Sequence, residues 1–347
     1  MAERLLVVAP SWVGDAILSE PLLALLREPF GDPNIDVLAP PWCGPVYARM
    51  RGVARVIDNP LPHGALDLRR RRAVAAELRK AGYQRALVLP NSWKSALIPW
   101  LAGIPRRTGY RGEFRYGLLN DVRKLDVRAM PRLVDRFAAL AGNRGVQVPT
   151  PPAPVLVPDV TNRTAAVEAL RLRTTAPVAV LCPGAEYGPA KRWPAEHFAA
   201  LATRLLADGF QVWIVGSPND KDAAAGLLRH LGTIADERRV RDLTGRTDLG
   251  TAIDLLSLAR VVVSNDSGLM HAAAAVGAPL VALFGSSSPI YTPPLAASAR
   301  IARIDIKCSP CFKRECPLGH LRCLQDLAPA AVYDLARTAA AESAAAP

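Results

Sequence analysis

A pattern of aspartate, serine, glycine and histidine in the second half of the chain has residue types suited to binding an anion. It runs from Asp266 through Ser267 and Gly268 to His271, after the β-branched run 261–263 and before an alanine-rich run. These flanks favour a buried strand and a helix, and Asp and Ser are common helix N-caps. The pattern therefore predicts a helix N-terminus, whose free N–H groups and dipole attract an anion. A lone histidine is more often packed in a core. His271 is a candidate for contact with the ligand only because Asp266, Ser267 and Gly268 precede it.

A second loop with similar flanks lies upstream and carries two positive charges. Gly184, Glu186, Lys191 and Arg192 follow the apolar run 178–181 and precede a helical pattern. Lys and Arg are most often solvated surface charges, but the loop of Gly and Pro before them favours a phosphate contact. The loop matches neither Gly-x-Gly-x-x-Gly nor the P-loop pattern, which argues against a dehydrogenase or an ATPase. The two loops together predict a site for a nucleotide diphosphate.

Asp15 follows Gly14 at the first predicted turn from strand to helix. An aspartate at this place can act as a general base toward a bound ligand. It can instead be a helix N-cap, and the residue types alone favour the cap over the base.

Four cysteines and a histidine lie within sixteen residues near the end of the chain. Cys308, Cys311, Cys316 and Cys323 have the spacing C-x2-C-x4-C-x6-C, with His320 among them. Such a density suits a structural zinc or iron–sulfur site, although the spacing fits no common zinc ribbon. A reduced cluster without metal remains equally open.

Composition and charge restrict the protein class and its partners. The 347 residues carry a net charge of +12, of which residues 1–160 contribute +9 and residues 161–347 contribute +3. The first part is thus expected to meet an anionic partner, whether nucleic acid, an anionic membrane surface or a phosphorylated substrate. The start of the chain lacks the pattern of a signal peptide, and no apolar run reaches the ~18 residues of a spanning helix. We therefore expect a cytoplasmic protein, at most peripheral on a membrane, whose cysteines form no disulfide framework.

The predicted elements alternate between strand and helix, which indicates an α/β protein with parallel, doubly wound sheets. A stretch with five prolines, residues 148–159, is a candidate linker and divides the chain into domains 1–155 and 156–347. The first domain is predicted to hold strands at 5–9, 35–38, 53–57 and 86–89 and helices at 16–26, 69–81, 95–101 and 133–141. The second is predicted to hold strands at 178–181, 211–215, 261–263 and 280–284 and helices at 195–207, 221–230, 249–258, 271–276 and 329–345.

Longer blocks of sequence resemble the lipopolysaccharide heptosyltransferases, in order along nearly the whole chain. The pattern Gly-Pro-Ala-Lys-Arg-Trp-Pro makes this resemblance specific, whereas Asp-Ser-Gly-x-x-His alone indicates only the wider family. Family members that perform the first heptose transfer usually have hydroxyl residues in the loop before the lysine. This chain has Glu186 and Tyr187 near that place, which favours the members that perform the second transfer. The blocks are 10–15, 39–43, 89–97, 103–112, 115–121, 183–194, 265–271, 280–289 and 292–295.

The resemblance implies a GT-B glycosyltransferase with two Rossmann-like domains facing a cleft. The N-terminal domain would bind the acceptor and the C-terminal domain ADP-heptose, with the last helix returning to pack on the first domain. An inverting transfer would move L-glycero-D-manno-heptose to the first heptose of heptosyl-Kdo2-lipid A. By motif match Asp15 is the base, Lys191 and the helix near Asp266 stabilise the departing diphosphate, and no metal is needed for chemistry. The acceptor candidates, chosen from the basic first half, are Asn91, Lys94, Arg107, Arg111 and Arg115.

Two alternatives stay open at this point. One is a heptosyltransferase of the same family with a different acceptor. The other, from another class, is a basic module that binds nucleic acid or a partner protein and carries a metal at its cysteine cluster. This second alternative explains the charge and the cysteines but leaves the two phosphate-type loops without a role, so we expect no nucleic-acid partner.

Overall fold

The chain consists of two compact units, Met1–Leu156 and Val157–Pro347. The computed structural model describes residues 3–30, 34–61, 66–146 and 149–345. The boundary lies one residue beyond the one expected, inside the proline-rich stretch, whose first residue Val148 lies outside the described residues.

The described part of the first unit holds a sheet of six parallel strands in the order β3-β2-β1-β4-β5-β6. The central strand β1 is apolar and buried on both faces, as expected for a parallel sheet covered by helices. Two strands at one side of the sheet, the edge strand and its neighbour, were not predicted, because their sequences Asp-Val-Arg and Arg-Arg-Thr-Gly-Tyr lack an apolar run. The strands are β1 Arg4–Val8, β2 Asn34–Ala39, β3 Val53–Asp58, β4 Arg85–Val88, β5 Arg106–Tyr110 and β6 Asp121–Arg123.

The helices of the first unit cover this sheet and differ from prediction mainly at the first crossover. The helix expected at 16–26 is two helices, separated at Ser19, whose hydroxyl donates to the carbonyl of Ala16 at 2.7 Å. Pro21 lacks the N–H that a continuous helix would need there. The helices are α1 Val13–Leu18, α2 Glu20–Phe30, α3 Gly44–Tyr47, α4 Leu68–Lys80, α5 Trp93–Leu101 and α6 Leu133–Ala138.

The second unit repeats the arrangement, with six described parallel strands in the order β12-β11-β10-β7-β8-β9. Its core joins apolar side chains of strands and helices, among them Trp193, Phe198 and Leu324. The strands are β7 Val178–Cys182, β8 Gln211–Ile214, β9 Val240–Asp242, β10 Val261–Asn265, β11 Leu280–Leu283 and β12 Ala299–Ala302.

The last helix of the chain is part of the core of the second unit. Val332, Ala336 and Ala339 are buried there against the second sheet. Its small side chains let it lie close against the neighbouring helix and strands. The helices are α7 Val160–Ala169, α8 Ala195–Ala207, α9 Lys221–Leu231, α10 Leu249–Leu256, α11 Gly268–Ala275, α12 Arg322–Gln325 and α13 Pro329–Ala345.

Each sheet has a point where the direction of strand succession reverses, between β1 and β4 and between β7 and β10. Such switch points in doubly wound sheets leave a crevice at the carboxyl ends of the strands, where ligands bind. Asp15 follows β1, and the Lys191 loop and Asp266 follow β7 and β10. The predicted chemical residues therefore lie at the two switch points.

No helix in the described ranges is both long enough and apolar enough to cross a lipid bilayer.

Candidate functional site

The switch point of the second unit holds the loop 183–193 against the end of β10 through Asn265. The Nδ2 of this buried asparagine donates to the carbonyl of Pro183 at 2.7 Å, and its Oδ1 accepts from the N–H of Trp193 at 3.1 Å. One amide thus fixes both ends of the loop that carries Lys191. A buried amide with both ends bonded resists displacement, because each lost bond would leave an unpaired polar group.

Lys191 and Asp266 meet directly at this switch point. The Lys191 Nζ lies 2.5 Å from the Asp266 Oδ2, and the Ser287 hydroxyl donates to the same carboxylate oxygen. The two side chains are 17% and 5% exposed, so the pair is largely shielded from water. Lys191 also lies over the ring of Tyr187, 5.0 Å from its centroid. A lysine held this way presents its remaining N–H donors in a fixed place.

The loop after β10 leads into α11 as the sequence predicts. Ser267 is the N-cap and its side chain makes no cap bond in the described structure, while Gly268 is the first helical residue. The first N–H groups of α11 are thus open to an anion at the positive end of the helix.

His271 is buried one turn into α11. Burial lowers its pKa to about 4, and the nearby Lys191 charge acts in the same direction against the opposing effect of Asp266. The imidazole is therefore neutral at neutral pH. A neutral ring can donate one hydrogen bond and accept another without adding charge to the site.

The other residues predicted to bind the sugar donor differ in exposure: Gly184 is buried, Arg192 is half-buried and Glu186 is exposed. A Cβ on Gly184 would lie 2.1 Å from the carboxyl carbon of Asp220, so only glycine fits there. Arg192 is half-buried, and its Nη2 lies 3.4 Å from the carbonyl of Ala185. Glu186 is exposed and accepts from Asn219 at 3.3 Å, so its side chain is part of the loop's outer surface.

The cysteine segment, residues 308–323, packs behind the Lys191 loop. The N–H of Ala190 donates to the carbonyl of Arg314 at 3.0 Å, and the Tyr187 hydroxyl donates to that of Phe312 at 2.7 Å. The N–H of Phe312 donates in turn to the carbonyl of Ser286, beside Ser287. The segment therefore fixes the positions of two groups that meet at Asp266.

The four clustered cysteines line one small cavity together with Ala190 and Ser286. Backbone N–H groups, that of Leu321 first, lower the pKa of the Cys316 thiol, and burial raises that of Cys323. Across the ranges that the structure describes, no three or more His, Cys, Asp or Glu side chains are arranged to hold a metal ion. The cysteines thus share a cavity without forming a ready ligand set for zinc or iron.

Asp15 occupies the switch point of the first unit. It lies in the first turn of α1, whose N-cap is Trp12, so the expectation that Asp15 is itself the cap was wrong. Its side chain is partly exposed, and its charge adds to burial in raising the pKa of the Cys43 thiol to about 12. The loop before it is tied to the turn after β2, because Trp42 Nε1 donates to the carbonyl of Ser11 at 2.8 Å.

Two of the five acceptor candidates are used inside the first unit. Arg115 is 2% exposed, and its guanidinium donates to the carbonyls of Tyr110 and Pro90, each at 2.5 Å, and to Asn91 Oδ1 at 3.0 Å. Burial lowers the pKa of Arg115 to about 10. The direct acceptor contact expected of Arg115 is thus replaced by a structural role, because its donors already have partners.

Arg107 is used in a similar way. Its Nε donates to the carbonyl of Leu118 at 2.6 Å and its Nη1 to that of Ile104 at 2.5 Å. The first bond holds the segment between β5 and β6, and the second holds the turn between α5 and β5. The expected acceptor contact of Arg107 is therefore also replaced by a structural role.

The other acceptor candidates remain near the surface at the carboxyl edge of the first sheet. Arg111 and Asn91 are exposed, and Lys94 is half-buried in the first turn of α5. They follow β4, which adjoins the switch point, and its neighbour β5, so they lie at the carboxyl ends of the strands of the same sheet as Asp15.

Sequence reasoning missed three polar side chains that build the second switch point: Asn265, Ser287 and Asp220. Ser287 belongs to a run of serines directly after β11, and Asp220 caps the turn after β8. Their common signal is a polar residue at the end of a buried strand or in the loop after it, which is where side chains of neighbouring strands converge.

The profile of Glycosyltransferase family 9 (heptosyltransferase) matches residues 71–322. Lipopolysaccharide heptosyltransferase 2 of Escherichia coli (strain K12) is 44% identical over 337 residues, which is 95% of this chain and 97% of that protein. Lipooligosaccharide heptosyltransferase 2 of Haemophilus influenzae is 44% identical over 309 residues, 87% of this chain and 88% of that protein.

Solved structures agree in fold. The structure described as E. coli ADP-heptose lps heptosyltransferase II matches with a TM-score of 0.89 at 40% identity, covering 98% of this chain and 99% of that one. A glycosyl transferase of family 9 from Veillonella parvula matches with a TM-score of 0.84 at 22% identity, covering 98% of both chains, which supports the fold alone. The predicted GT-B class with two Rossmann-like domains is confirmed. The chain belongs to glycosyltransferase family 9, the heptosyltransferases, and is therefore a glycosyltransferase.

Proposed function

We propose that this enzyme transfers L-glycero-D-manno-heptose from ADP-heptose to the first heptose of heptosyl-Kdo2-lipid A, with inversion at the anomeric carbon. The observation that carries the proposal is the meeting of Lys191, Asp266 and the N-terminus of α11 at one switch point. Support for the substrates comes from relatives named lipopolysaccharide heptosyltransferase 2 and from the solved E. coli structure, whose description includes ADP-heptose.

The donor diphosphate would bind against the start of α11 and Lys191. Lys191 has three N–H donors, so its bond to Asp266 leaves two for phosphate oxygens. Negative charge grows on the diphosphate as its bond to the sugar breaks, and a lysine already in place stabilises that charge without reorganisation. Gly268 would allow the ligand close to the backbone, with Ser267 and the neutral His271 as hydrogen-bond partners for phosphate or ribose. Gly184 would hold the loop in place through its close packing on Asp220. Arg192 and Glu186 would lie at the margin of this site.

Asp15 would act as the general base. In one displacement the acceptor hydroxyl oxygen forms a bond to the anomeric carbon, the bond from that carbon to the phosphate oxygen breaks, and ADP leaves. The hydroxyl proton passes to the Asp15 carboxylate. Asp15 and Lys191 are then the two catalytic residues. This scheme assigns no step to a metal, and the cysteine segment would serve to position the Lys191 loop.

The acceptor would meet the first unit, where the excess positive charge lies. Lys94, Arg111 and Asn91 are the candidates that keep side chains at the surface. Because the acceptor carries lipid chains, we place the enzyme in the cytoplasm, in peripheral contact with the anionic inner face of the inner membrane.

The test is a transfer assay with product mass spectrometry. Incubation with ADP-heptose and heptosyl-Kdo2-lipid A should add one heptose to the acceptor, whereas Kdo2-lipid A without heptose should remain unchanged. Addition of heptose to Kdo2-lipid A instead would show that the enzyme performs the first transfer. Absence of product with both acceptors, from protein that binds ADP-heptose, would favour a family member with a different acceptor.

A further inference from the structure

Phe114 is a large apolar side chain that the protein holds out to solvent. It is 94% exposed and has a φ of 51°, and the preceding Glu113 has a φ of 41°. Two successive non-glycine residues in the left-handed region cost free energy and persist where the surrounding structure enforces them. Exposing a phenylalanine gains nothing for folding. Both observations indicate that Phe114 is presented to a partner.

The loop that carries Phe114 is held in place by its neighbours Arg115 and Glu113. The next residue, Arg115, is buried and bonds its guanidinium to Tyr110, Pro90 and Asn91. Glu113 Oε2 accepts from the N–H of Trp93 at 3.0 Å, which ties the other side of the loop to the start of α5. Tyr116, 62% exposed, follows on the same loop. Two aromatic side chains thus stand on a rigid support.

The basic start of α4 lies beside the same support. The buried Arg71 donates from Nη1 to the carbonyl of Lys94 at 2.7 Å and from Nε to that of Leu66 at 2.5 Å. The first turns of α4 and α5 are therefore joined, and α5 in turn holds the Phe114 loop. Around this junction lie exposed apolar and basic side chains, which together form the basic-aromatic patch: Leu66, Leu68, Arg69, Arg70, Arg72, Phe114 and Tyr116.

We propose that the basic-aromatic patch docks the enzyme on an anionic lipid bilayer. Aromatic and leucine side chains beside arginines are the composition that suits the boundary between headgroups and acyl chains. The arginines would bind lipid phosphates, and Phe114 and Tyr116 would enter the interface. This inference rests on the proposed function, since a lipid-linked acceptor lies in such a bilayer.

The position of the patch fits that purpose. Its two segments follow β3 and β5, so they lie at the carboxyl ends of the strands of the first sheet, as Asp15 does after β1. A bilayer that contacts this edge would present the sugar part of a membrane-embedded acceptor on the side of the unit where Asp15 stands.

Sedimentation of the full chain with vesicles tests the proposal without any substrate. Vesicles of phosphatidylcholine with phosphatidylglycerol should bind the enzyme, and pure phosphatidylcholine vesicles should bind it far less. Phe114→Ala combined with Tyr116→Ala should lower the partition coefficient by about tenfold. The triple variant Arg69→Gln, Arg70→Gln and Arg72→Gln should lower the partition coefficient by about fivefold for each charge removed. The binding of this variant should also depend less on salt than that of the wild type.

Matched controls come from the second unit. The triple variant Arg173→Gln, Arg229→Gln and Arg238→Gln removes three exposed charges, and Ile234→Ala removes one exposed apolar side chain. Both should bind vesicles as the wild type does. Equal losses in control and patch variants would overturn the proposal, because net charge alone would then explain binding. Equal binding to neutral vesicles, or no binding to either kind, would overturn it as well.

Activity separates this inference from the proposed function. With a delipidated heptosyl-Kdo acceptor in solution, the Phe114→Ala/Tyr116→Ala variant should keep wild-type kcat/KM, and with acceptor embedded in vesicles it should lose about tenfold. Loss on both acceptors would make Phe114 part of the sugar site and overturn membrane docking. If the wild type used neither acceptor while its vesicle binding still depended on the patch, the proposed function would fail and the docking surface would stand.

Discussion

At the scale of single residues, the second switch point depends on one carboxylate shared between a lysine and a serine. Asp266 accepts from both Lys191 and Ser287, which reach it from the loops after β7 and β11. Three chain segments are thus held at one point by bonds within the protein. Such preorganisation is what electrostatic stabilisation of a leaving group requires.

Lys191→Ala should therefore reduce turnover more than donor binding. A charge-assisted contact contributes about 1.5–3 kcal/mol, so kcat should fall about ten- to a hundredfold or slightly more. Steady-state kinetics with a direct measurement of ADP-heptose affinity separates the two effects. Arg229→Ala, which removes an exposed charge of the same unit, is the control and should change neither. An unchanged kcat/KM in Lys191→Ala would show that the leaving-group site lies elsewhere.

Asp15→Asn tests the proposed base, since the amide keeps the size of the carboxylate and loses its basicity. Activity should fall by about 10²–10⁴-fold. The fold should persist, because an acid in the first turn of a helix contributes only about 0.3–1 kcal/mol. Turnover, melting temperature and ADP-heptose affinity should be measured on the same preparation. A variant with near wild-type turnover would leave Asp15 as a helix-stabilising residue only, and should it fail to fold, Asp15→Ser repeats the test.

At the scale of elements, the cysteine segment is a support for the Lys191 loop. Gly188 shows how close the two are: its φ is 151°, and a Cβ there would lie 2.6 Å from the carbonyl oxygen of Arg314. Gly188→Ala should thus push the loop from its support and raise the KM for ADP-heptose severalfold or more. Gly209→Ala is the control, because Gly209 also has a positive φ, 88°, but open space around it. If both variants lost stability equally and neither changed the KM, the support would be unnecessary for donor binding.

Glu20, at the start of α2, gives the first unit a pH-dependent contact. Burial raises its pKa to about 7 from 4.5, although it accepts from the N–H of Val155 at 3.2 Å. The folded state thus holds the proton more tightly than the unfolded chain, and raising the pH from 4.5 through 7 removes stability. Glu20→Gln should become more stable than the wild type across this interval, by at most about 3 kcal/mol above pH 7.

Urea unfolding of both proteins at several pH values measures this difference. Glu77→Gln, at an exposed position of α4, serves as the control and should follow the wild type. If the difference in free energy of unfolding between Glu20→Gln and the wild type stayed constant with pH, the raised pKa of Glu20 would be contradicted.

At the scale of the whole molecule, charge is divided between the units in the way that the two proposed substrates require. The first 160 residues carry +9, and the remaining residues +3. Because exposed charges are screened by salt, raising the ionic strength should raise the KM of a delipidated heptosyl-Kdo acceptor more than that of ADP-heptose, whose contact with Lys191 is shielded. Kinetics at several salt concentrations, with potassium chloride and potassium acetate compared, checks this. Equal responses of the two KM values would argue against acceptor binding on the first unit.

The sequence by itself determined the alternation of strand and helix, the division near residue 156 and the loops that carry Asp15, Lys191 and Asp266. These are local properties: apolar runs, caps and turns act over a few residues, so their pattern can be read along the chain. Edge strands such as β6 and β12 were missed, because a half-exposed strand needs no apolar run.

Only the tertiary structure decided which polar side chains meet. Arg115 and Arg107 resemble surface residues in the sequence, yet the structure gives their donors to backbone carbonyls. Ser287 joins Asp266 across 21 residues of sequence, and Arg314 reaches the Lys191 loop from a more distant segment. Strand order brings these groups together, and strand order is set by packing of the whole sheet, which no local pattern records.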